Sequence, residues 1–364
     1  MKLAQWSKLA GIVLVCSILQ GCWDVKDVDN RMIAAVIGIE QTEDHKVELW
    51  VRFPVPVTSQ SGSGGISKDF FSSRQKGDTV VEALDELRSK LPKALDLSET
   101  RAIFVDEDLA KKGLLAYLEF AVRDRLVPLN TLVALVSGSM EPIFTKSNPG
   151  GEVSGTYAKL FFEPYAGGTP EKNRVPLWSL FSRIYNPLQE NIVPLLTQSQ
   201  VNMFKLKGNA YFEDDKQVGI LTPEETLIYE IIFRKMSDFE IETVEGANVS
   251  IRNNKTRITT KLIAGKPHIR IHTSLSLTLI DSSKAAQISS AEIENSVNAV
   301  LERRAKKVFQ DTQLKKSDIF GFGNRYRSLL SSEEYEKWPE MYRDAAIEFH
   351  INSKMRNTGL QLLK

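Results

Sequence analysis

The chain has 364 residues, a formal net charge of +1 and 26% charged residues. With a net charge this close to zero, charge alone would not bind the protein to nucleic acid or to anionic lipid. At about 100 to 200 residues per domain, the length predicts two or three domains. The two cysteines, Cys16 and Cys22, exclude a disulfide-rich scaffold. Beyond Cys22 no apolar run reaches the roughly 18 residues of a transmembrane helix, so we expect a body that lies outside the bilayer.

The first 21 residues have the pattern of a lipoprotein signal peptide. Two lysines precede the apolar segment Leu9–Leu19, and the small Gly21 stands directly before Cys22. A helix over that segment would cover about 16 Å, roughly half of a bilayer's hydrocarbon core, so it is a signal and not an anchor. The sequence Leu-Gln-Gly-Cys at its end matches a bacterial lipobox, whose thiol accepts a diacylglyceryl group. We therefore predict cleavage between Gly21 and Cys22 and lipidation of Cys22.

Two other interpretations of this stretch stay open: a free cysteine that ends an ordinary signal peptide, and an uncleaved signal anchor. Acylation would hold the body at a membrane surface without a span, since each buried methylene contributes about 0.8 kcal/mol. Loss of Lys2 and Lys8 with the signal changes the net charge from +1 to −1. The mature protein would keep no free thiol for a disulfide, so its stability must come from a hydrophobic core.

Residues 22–200 have the pattern of an α+β region with a mixed sheet. Strands are predicted at Arg31–Ile39, Lys46–Phe53, Ala102–Val105 and Thr131–Val136, the first two as a hairpin, and Ile192–Gln200 closes the region. Helices are predicted at Thr79–Leu91 with Asp78 as its N-cap, at Leu114–Arg125, and at Leu177–Tyr185 after Pro176. Ser59–Gly77 is rich in Ser and Gly and is predicted to be a surface loop, for which disorder is favoured over a function.

Residues 201–364 are predicted to form a second α+β domain. It opens with a hairpin, Lys205–Phe212 and Gln217–Leu221, turning at Asp214 and Asp215. Thr222, as N-cap, and Pro223 begin a helix that reaches about Lys235. Three strands follow, and in the last of them apolar residues from Ile269 to Leu279 alternate with polar ones. This period of two predicts a largely antiparallel sheet with one packed face, covered by a long helix over Ala291–Leu314.

The search for catalytic chemistry finds no constellation that fits. His268 and His272 share the wet face of a strand but lie about 13 Å apart, too far to share a metal ion. His45 falls in a turn and His350 near the end of the chain. Two glycine-rich stretches, 62–65 and 321–323, lack the strand, lysine and helix of a phosphate-binding loop. We therefore predict no catalytic residues, no metal, no cofactor and no nucleic-acid partner.

Two other groups have a structural and a functional interpretation. The basic group on the long helix is interpreted as a solvated face rather than a docking patch: Arg303, Arg304, Lys306 and Lys307. The aromatic residues of the last segment are interpreted as core, with a partner anchor as the alternative: Tyr326, Tyr335, Trp338, Tyr342 and Phe349.

Several segments, in order along the chain, resemble the Ger(x)C spore germination lipoproteins, the C subunits of nutrient germinant receptors. They are Gly21-Cys22-Trp23-Asp24; Ile37-Gly38-Ile39-Glu40; Leu206–Phe212 through Val218–Leu221 to Glu224-Glu225-Thr226; Asp318–Gly323; Trp338; and Met355–Leu360. Together they extend from the acylation site to the end of the chain.

The resemblance implies a non-enzymatic subunit that its lipid holds on the outer face of the spore inner membrane. It would assemble with an A-type integral membrane subunit that resembles amino-acid transporters and with a B-type membrane subunit that has large soluble domains. It also implies that the region 22–200 comprises two interleaved domains. The alternative from another class is a substrate-binding lipoprotein of an ABC importer, which would have two lobes around parallel sheets and a deep cleft. An exported hydrolase is the third hypothesis.

Overall fold

The computed structural model describes residues 30–55, 70–123, 127–147, 154–162, 173–200, 203–233, 239–244, 247–282 and 289–357. The predicted cleavage and lipidation site, Gly21 and Cys22, lies outside these ranges. None of the described helices combines the length and the apolar composition that crossing a bilayer requires.

An eight-stranded mixed sheet forms the first half of the molecule. The strands in this half are β1 Arg31–Ile33, β2 Val36–Gln41, β3 Val47–Pro54, β4 Phe70–Gly77, β5 Ala94–Asp96, β6 Ala102–Asp106, β7 Leu132–Ser137, β8 Ile192–Gln198, β9 Phe204–Glu213 and β10 Lys216–Leu221. The order in the sheet is β10-β9-β8-β7-β6-β2-β3-β4, and the four central strands run parallel. β1 and β5 form a separate parallel pair.

Helices cover both faces of this sheet. They are α1 Val80–Lys90, α2 Glu107–Lys112, α3 Leu115–Arg123, α4 Glu141–Thr145, α5 Ser154–Phe161 and α6 Leu177–Ile184. One core contains apolar residues of α1, α2, α3 and α6, and the other contains those of α4 and α5. The central strands are therefore apolar on both sides, as the continuous runs in β6 and β7 show.

A four-stranded sheet forms the second half. Its elements are α7 Pro223–Phe233, β11 Phe239–Val244, β12 Ala247–Ile263, β13 Lys266–Ser282, α8 Ser290–Leu314, a 3-10 helix Phe322–Arg325, α9 Ser332–Glu336, α10 Trp338–Arg343 and β14 Ala346–Asn357. The order is β11-β12-β13-β14, antiparallel except for the last pair. Ala264 and Gly265, both at positive φ, make the two-residue turn between the long strands. A capping box of Ser289 and Glu292 begins α8.

The predicted α+β class is confirmed, and so is the β2–β3 hairpin. The alternation in β13 is confirmed as well, because Ile269 to Leu279 are buried at every second position in the core that α8 joins. The division at residue 200 stays a prediction, since β9 and β10 continue the sheet of the first half across that point.

Two predictions in detail were wrong, and one strand was missed. Residues 70–77 of the predicted Ser59–Gly77 loop form β4, a polar edge strand that buries Phe70 under the guanidinium of Arg52; residues 56–69 are outside the described ranges. Thr79, not Asp78, caps α1, because its hydroxyl accepts the backbone N–H of Glu82 at 3.1 Å. β14, which no strand prediction covered, completes the second sheet beside β13.

Candidate interaction surface

Within the described residues, no element covers one face of the second sheet. Along β13, Ile269 and Ile271 point into the core that α8 joins, so the residues between them point the other way. Arg270, His272 and Ser274 are accordingly exposed. We call this side the open sheet face and define it by its outward residues: Lys255, Arg257, Thr259 and Lys261 of β12; His268, Arg270, His272 and Ser274 of β13; and Glu348, His350, Asn352 and Lys354 of β14.

The strand register lines these residues up in rows across the sheet. In one row Arg257 pairs with His272, which pairs with His350. In the neighbouring row Arg270 pairs with Glu348. Directly paired side chains on one face of a sheet lie about 5 Å apart, so each row presents adjacent polar groups to a partner.

The open sheet face is cationic. Glu348 is the single carboxylate among the residues that define it, against five lysines and arginines. Arg270 Nε donates to Glu348 Oε2 at 2.6 Å, and this hydrogen bond raises the pKa of Arg270 and lowers the pKa of Glu348. The pair is exposed, so it contributes little to stability. Among the described residues Lys255 and Arg257 form no ion pair, so their charge is available to an anionic partner.

Three histidines lie on this face. His268 and His272 occupy the side that the alternation in the sequence predicts, and β14 adds His350. The rings of His272 and His350 stack with centroids 5.0 Å apart and an interplanar angle of 21°. His350 Nε2 lies 3.9 Å from Glu348 Oε2. Within the described residues no group of three His, Cys, Asp or Glu side chains has the arrangement of a metal site.

The contribution of β14 to the surface was missed, although its signal is in the sequence. Ile347, Phe349 and Ile351 alternate with Glu348 and His350, a period of two that predicts a strand with one wet face. The prediction from sequence instead placed Phe349 in one group with the aromatic residues of the preceding helices. The parallel pairing of β14 with β13 is set by the intervening α8 to α10, and no local pattern encodes it.

The outer edge of β14 is closed by side chains of α8. The backbone N–H groups of Ile351, Ser353 and Met355 donate to three helix side chains four residues apart. Their acceptors are Glu302 Oε1 at 3.3 Å, Asn298 Oδ1 at 3.1 Å and Glu294 Oε1 at 2.7 Å. Four helical residues rise about 6.0 Å and two strand residues about 6.6 Å, which is why the two series stay in register. The edge is thereby blocked against pairing with another strand.

The two halves meet where the segment Ser317–Tyr326 packs on residues 186–191. The backbone N–H of Glu190 donates to the Asp318 carbonyl at 2.9 Å, and Asn324 Nδ2 donates to Gln189 Oε1 at 3.2 Å. Gly321 adopts a positive φ of 59°, and a Cβ there would lie 2.7 Å from the Gln189 side chain. The 321–323 stretch is therefore a packing motif of this contact.

Two buried carboxyl groups lie at this contact, which we call the seam. Asp318 Oδ2 accepts from Gly323 N and from Trp338 Nε1, both at 2.9 Å. Burial raises the pKa of Asp318 to about 7 in spite of these hydrogen bonds. Burial, and to a lesser extent the nearby Asp214 and Asp318 charges, raises the pKa of Glu190 to about 8. Both carboxyls can therefore change charge near neutral pH.

The other residues that the sequence singled out have structural roles. His45 and Asp214 lie in hairpin turns with positive φ. Asp215 accepts the backbone N–H of Leu114 at 2.8 Å through its carbonyl and that of Leu115 at 3.1 Å through its carboxylate. It therefore binds the first turn of α3, a role that a turn motif alone does not reveal.

The basic and aromatic groups follow their structural interpretations. On α8, Arg303 and Lys306 are exposed, and Lys307 pairs with Glu225 at 2.5 Å. The most buried of the aromatic residues are Tyr326, Trp338 and Tyr342, each with 0% exposure. They belong to the core and are not available as an anchor.

The fold matches a solved structure along most of both chains. The crystal structure of the GerBC protein covers 88% of this chain and 97% of its own, with a TM-score of 0.55 and 18% identity. Two family models match consecutive regions: the spore germination protein N-terminal domain at residues 24–198, and the spore germination B3/GerAC-like C-terminal domain at residues 207–359. The chain belongs to the Ger(x)C family of spore germination proteins.

Full-length relatives support the same assignment. Spore germination protein B3 of Bacillus subtilis (strain 168) is 24% identical over 97% of this chain and 98% of its own length. Spore germination protein KC of the same organism is 22% identical over 96% and 95%, respectively.

Proposed function

We propose that the chain is the lipid-anchored, non-catalytic subunit of a nutrient germinant receptor, held on the outer leaflet of the spore inner membrane by acylated Cys22. The observation that carries this proposal is the family match over residues 24–359, which begins two residues after the Gly21-Cys22 junction. Confining the body to a membrane raises its effective concentration near membrane partners. The consecutive antiparallel strands β11 to β13 favour this function over a substrate-binding lipoprotein of an ABC importer.

The anchor is tested by Cys22→Ala in the native chain. Without the thiol the protein cannot be acylated, so we expect it to leave the membrane fraction and germination in response to nutrient to be impaired. The mass of the wild-type amino terminus provides the parallel check, because acylated Cys22 must be its first residue. Normal membrane retention and normal germination of the variant would refute the proposal.

We propose further that the open sheet face docks on an acidic surface of the integral membrane subunits of A and B type. Its cations stand on three strands of one rigid sheet, so they are presented without the entropic cost of ordering a loop. Charge complementarity across such a surface speeds association and fixes orientation more than it adds affinity. We assign an acidic protein surface as the partner, and anionic lipid is the alternative partner that the experiment must distinguish from it.

A pair of matched double variants tests this docking. Arg257→Glu with Lys261→Glu reverses two charges on the open sheet face, and Arg303→Glu with Lys306→Glu makes the same change on the solvated side of α8. We expect only the first pair to lose co-purification with the membrane subunits from detergent extracts. Equal retention of both variants would contradict the assignment of this face. Loss of binding to anionic vesicles, with the subunit complex intact, would assign the face to lipid.

A further inference from the structure

A small apolar patch is exposed beside the start of α6. Leu129 is 51% exposed, Trp178 57% and Tyr185 68%. The backbone N–H of Trp178 donates to the Leu129 carbonyl at 3.0 Å, so these two residues are adjacent. Trp178 and Tyr185 are seven residues apart along α6 and its C-cap, and therefore lie on the same side of the helix. The opposite side of α6 packs in the core through Leu180, which is fully buried.

This α6 patch lies at the edge of the first sheet that is formed by the starts of its parallel strands. The chain also enters the described fold at this edge. A row of hydrogen bonds runs along the starts of the parallel strands: Thr100 Oγ1 to the Ala34 carbonyl at 3.3 Å, and Thr131 Oγ1 to the Thr100 carbonyl at 2.8 Å. The Leu177 N–H then donates to the Thr131 carbonyl at 2.9 Å. With strands about 4.8 Å apart, the row places α6 roughly 15 Å from Ala34.

The acylation site is close to this edge along the chain. Asn30, the first described residue, lies eight positions after Cys22. A chain spans at most about 3.3 to 3.6 Å per residue, so these residues reach no farther than about 29 Å from the fold. An acylated Cys22 therefore keeps Asn30, where the chain enters this edge, within about 29 Å of the bilayer surface.

The chemistry of the patch fits the interface between water and lipid. Trp and Tyr have an apolar ring with a polar group, and both are enriched at the headgroup level of membranes. Four charged residues near the strand starts form two ion pairs: Arg31 with Asp96 at 2.6 Å and Arg101 with Glu99 at 2.5 Å. These four charges at the strand starts therefore balance one another.

We propose that the α6 patch rests in the interfacial layer of the bilayer and orients the body on its lipid tether, with the starts of the parallel strands toward the membrane. This inference rests on the proposed acylation of Cys22. The tether alone would leave the body free to rotate, whereas a second contact at Trp178 fixes which surfaces face the integral membrane subunits.

Tryptophan quenching tests the contact in the full mature chain. The native protein is reconstituted into phosphatidylcholine vesicles whose acyl chains carry bromine, which quenches indoles at membrane depth. Trp178→Phe should remove a quenchable part of the emission, and the matched Trp50→Phe change, at a residue only 3% exposed, should leave that part unchanged. Trp23, next to the tether, contributes the same background to all variants.

A second pair of variants keeps Trp178 in place. Leu129→Asp adds a charge to the patch and should reduce the quenching of Trp178 to the level of Trp178→Phe. Leu329→Asp, at a residue 57% exposed outside the patch, is the control and should change nothing. Equal quenching of wild type and Trp178→Phe on vesicles that retain the protein would overturn the inference, and self-association of the wild type through the patch would assign it to a second copy.

Failure of the anchor is distinguishable from failure of this contact. An unacylated amino terminus and protein in the supernatant would refute the proposed function before any fluorescence is measured. In that case the thiol of Cys22 can be coupled to a maleimide lipid, which restores the tether. The same comparison of wild type with Trp178→Phe then decides the orientation by itself.

Discussion

The two sheets of this molecule differ in how many of their faces are covered by helices. In the first sheet the central strands are covered on both faces, and their sequences are continuous apolar runs such as Ala102–Val105. In the second sheet the described elements cover one face, and β13 alternates strictly. Strands covered on both faces have few side chains left for recognition, whereas a singly covered sheet presents about half of its residues to a partner. Stability should thus be concentrated in the first sheet and partner contacts in the second.

The strongest test of this difference is Phe104→Ala in β6. Phe104 is fully buried and packs edge to face on Phe204, with ring centroids 5.4 Å apart. Its truncation leaves a cavity and should lower the free energy of unfolding by about 3 to 5 kcal/mol, measured by urea denaturation. Ser274→Ala on the open sheet face is the control and should cost less than about 0.5 kcal/mol. Similar losses in the two variants would remove the distinction between the sheets.

The seam between the halves should make stability depend on pH. Burial raises the pKa of Glu190 from 4.5 to about 8, so the folded state binds a proton that the unfolded state releases. This contribution to stability is complete below pH 4.5 and is lost as the pH rises toward 8. Glu190→Gln removes this titration. As the pH rises across that window, the free energy of unfolding of the variant should increase relative to that of the wild type by at most about 1.4 kcal/mol per pH unit.

Urea denaturation at several pH values between 4.5 and 8 measures this difference. The control is Glu213→Gln, a carboxylate near Glu190 in β9 that is less buried. A constant difference between Glu190→Gln and wild type over the window would show that Glu190 is charged in the folded state.

Much of this comparison could be predicted from sequence, because each sheet has a local signature. The alternation from Ile269 to Leu279 indicated one wet face, and the run Thr131–Val136 indicated a strand. The β2–β3 hairpin and the capped start of α7 were equally local. Such patterns depend on neighbouring residues alone, so one sequence is enough to find them.

What could not be predicted depends on contacts between distant segments. β4 lacks an apolar stripe, since as an edge strand it needs only Phe70 and the terminal Gly77 buried. The row of Arg257, His272 and His350 joins three strands that are far apart in sequence. The seam brings Glu190 beside Asp318, and no spacing rule relates residues separated by more than a hundred positions. Sequence periodicity identifies the apolar face of a strand, but only the folded structure shows which residues that face contacts.

The edge of the second sheet offers a smaller and more specific test. Asn298→Ala removes the acceptor for the Ser353 N–H, which lies 3.1 Å away in the middle of the edge contact. One hydrogen bond of this kind is worth about 0.5 to 1.5 kcal/mol, so the free energy of unfolding should fall by that amount. Light scattering should also show more association, since the edge of β14 becomes available for pairing. Gln310→Ala, an exposed amide on the same helix, should change neither measurement.

The smallest expected effect on stability lies at the open sheet face. Arg257→Glu with Lys261→Glu replaces two exposed cations on a face where cations outnumber the single carboxylate, so repulsion between like charges falls. The new carboxylates stay hydrated, as the cations were, and exposed charges contribute little to stability. The free energy of unfolding should therefore stay within about 0.5 kcal/mol of the wild type in urea denaturation. A loss comparable to that of Phe104→Ala would mean that this face is part of the fold's own packing. If the double variant keeps its stability but no longer co-purifies with the membrane subunits, these charges serve recognition, because no structural role is then left to explain them.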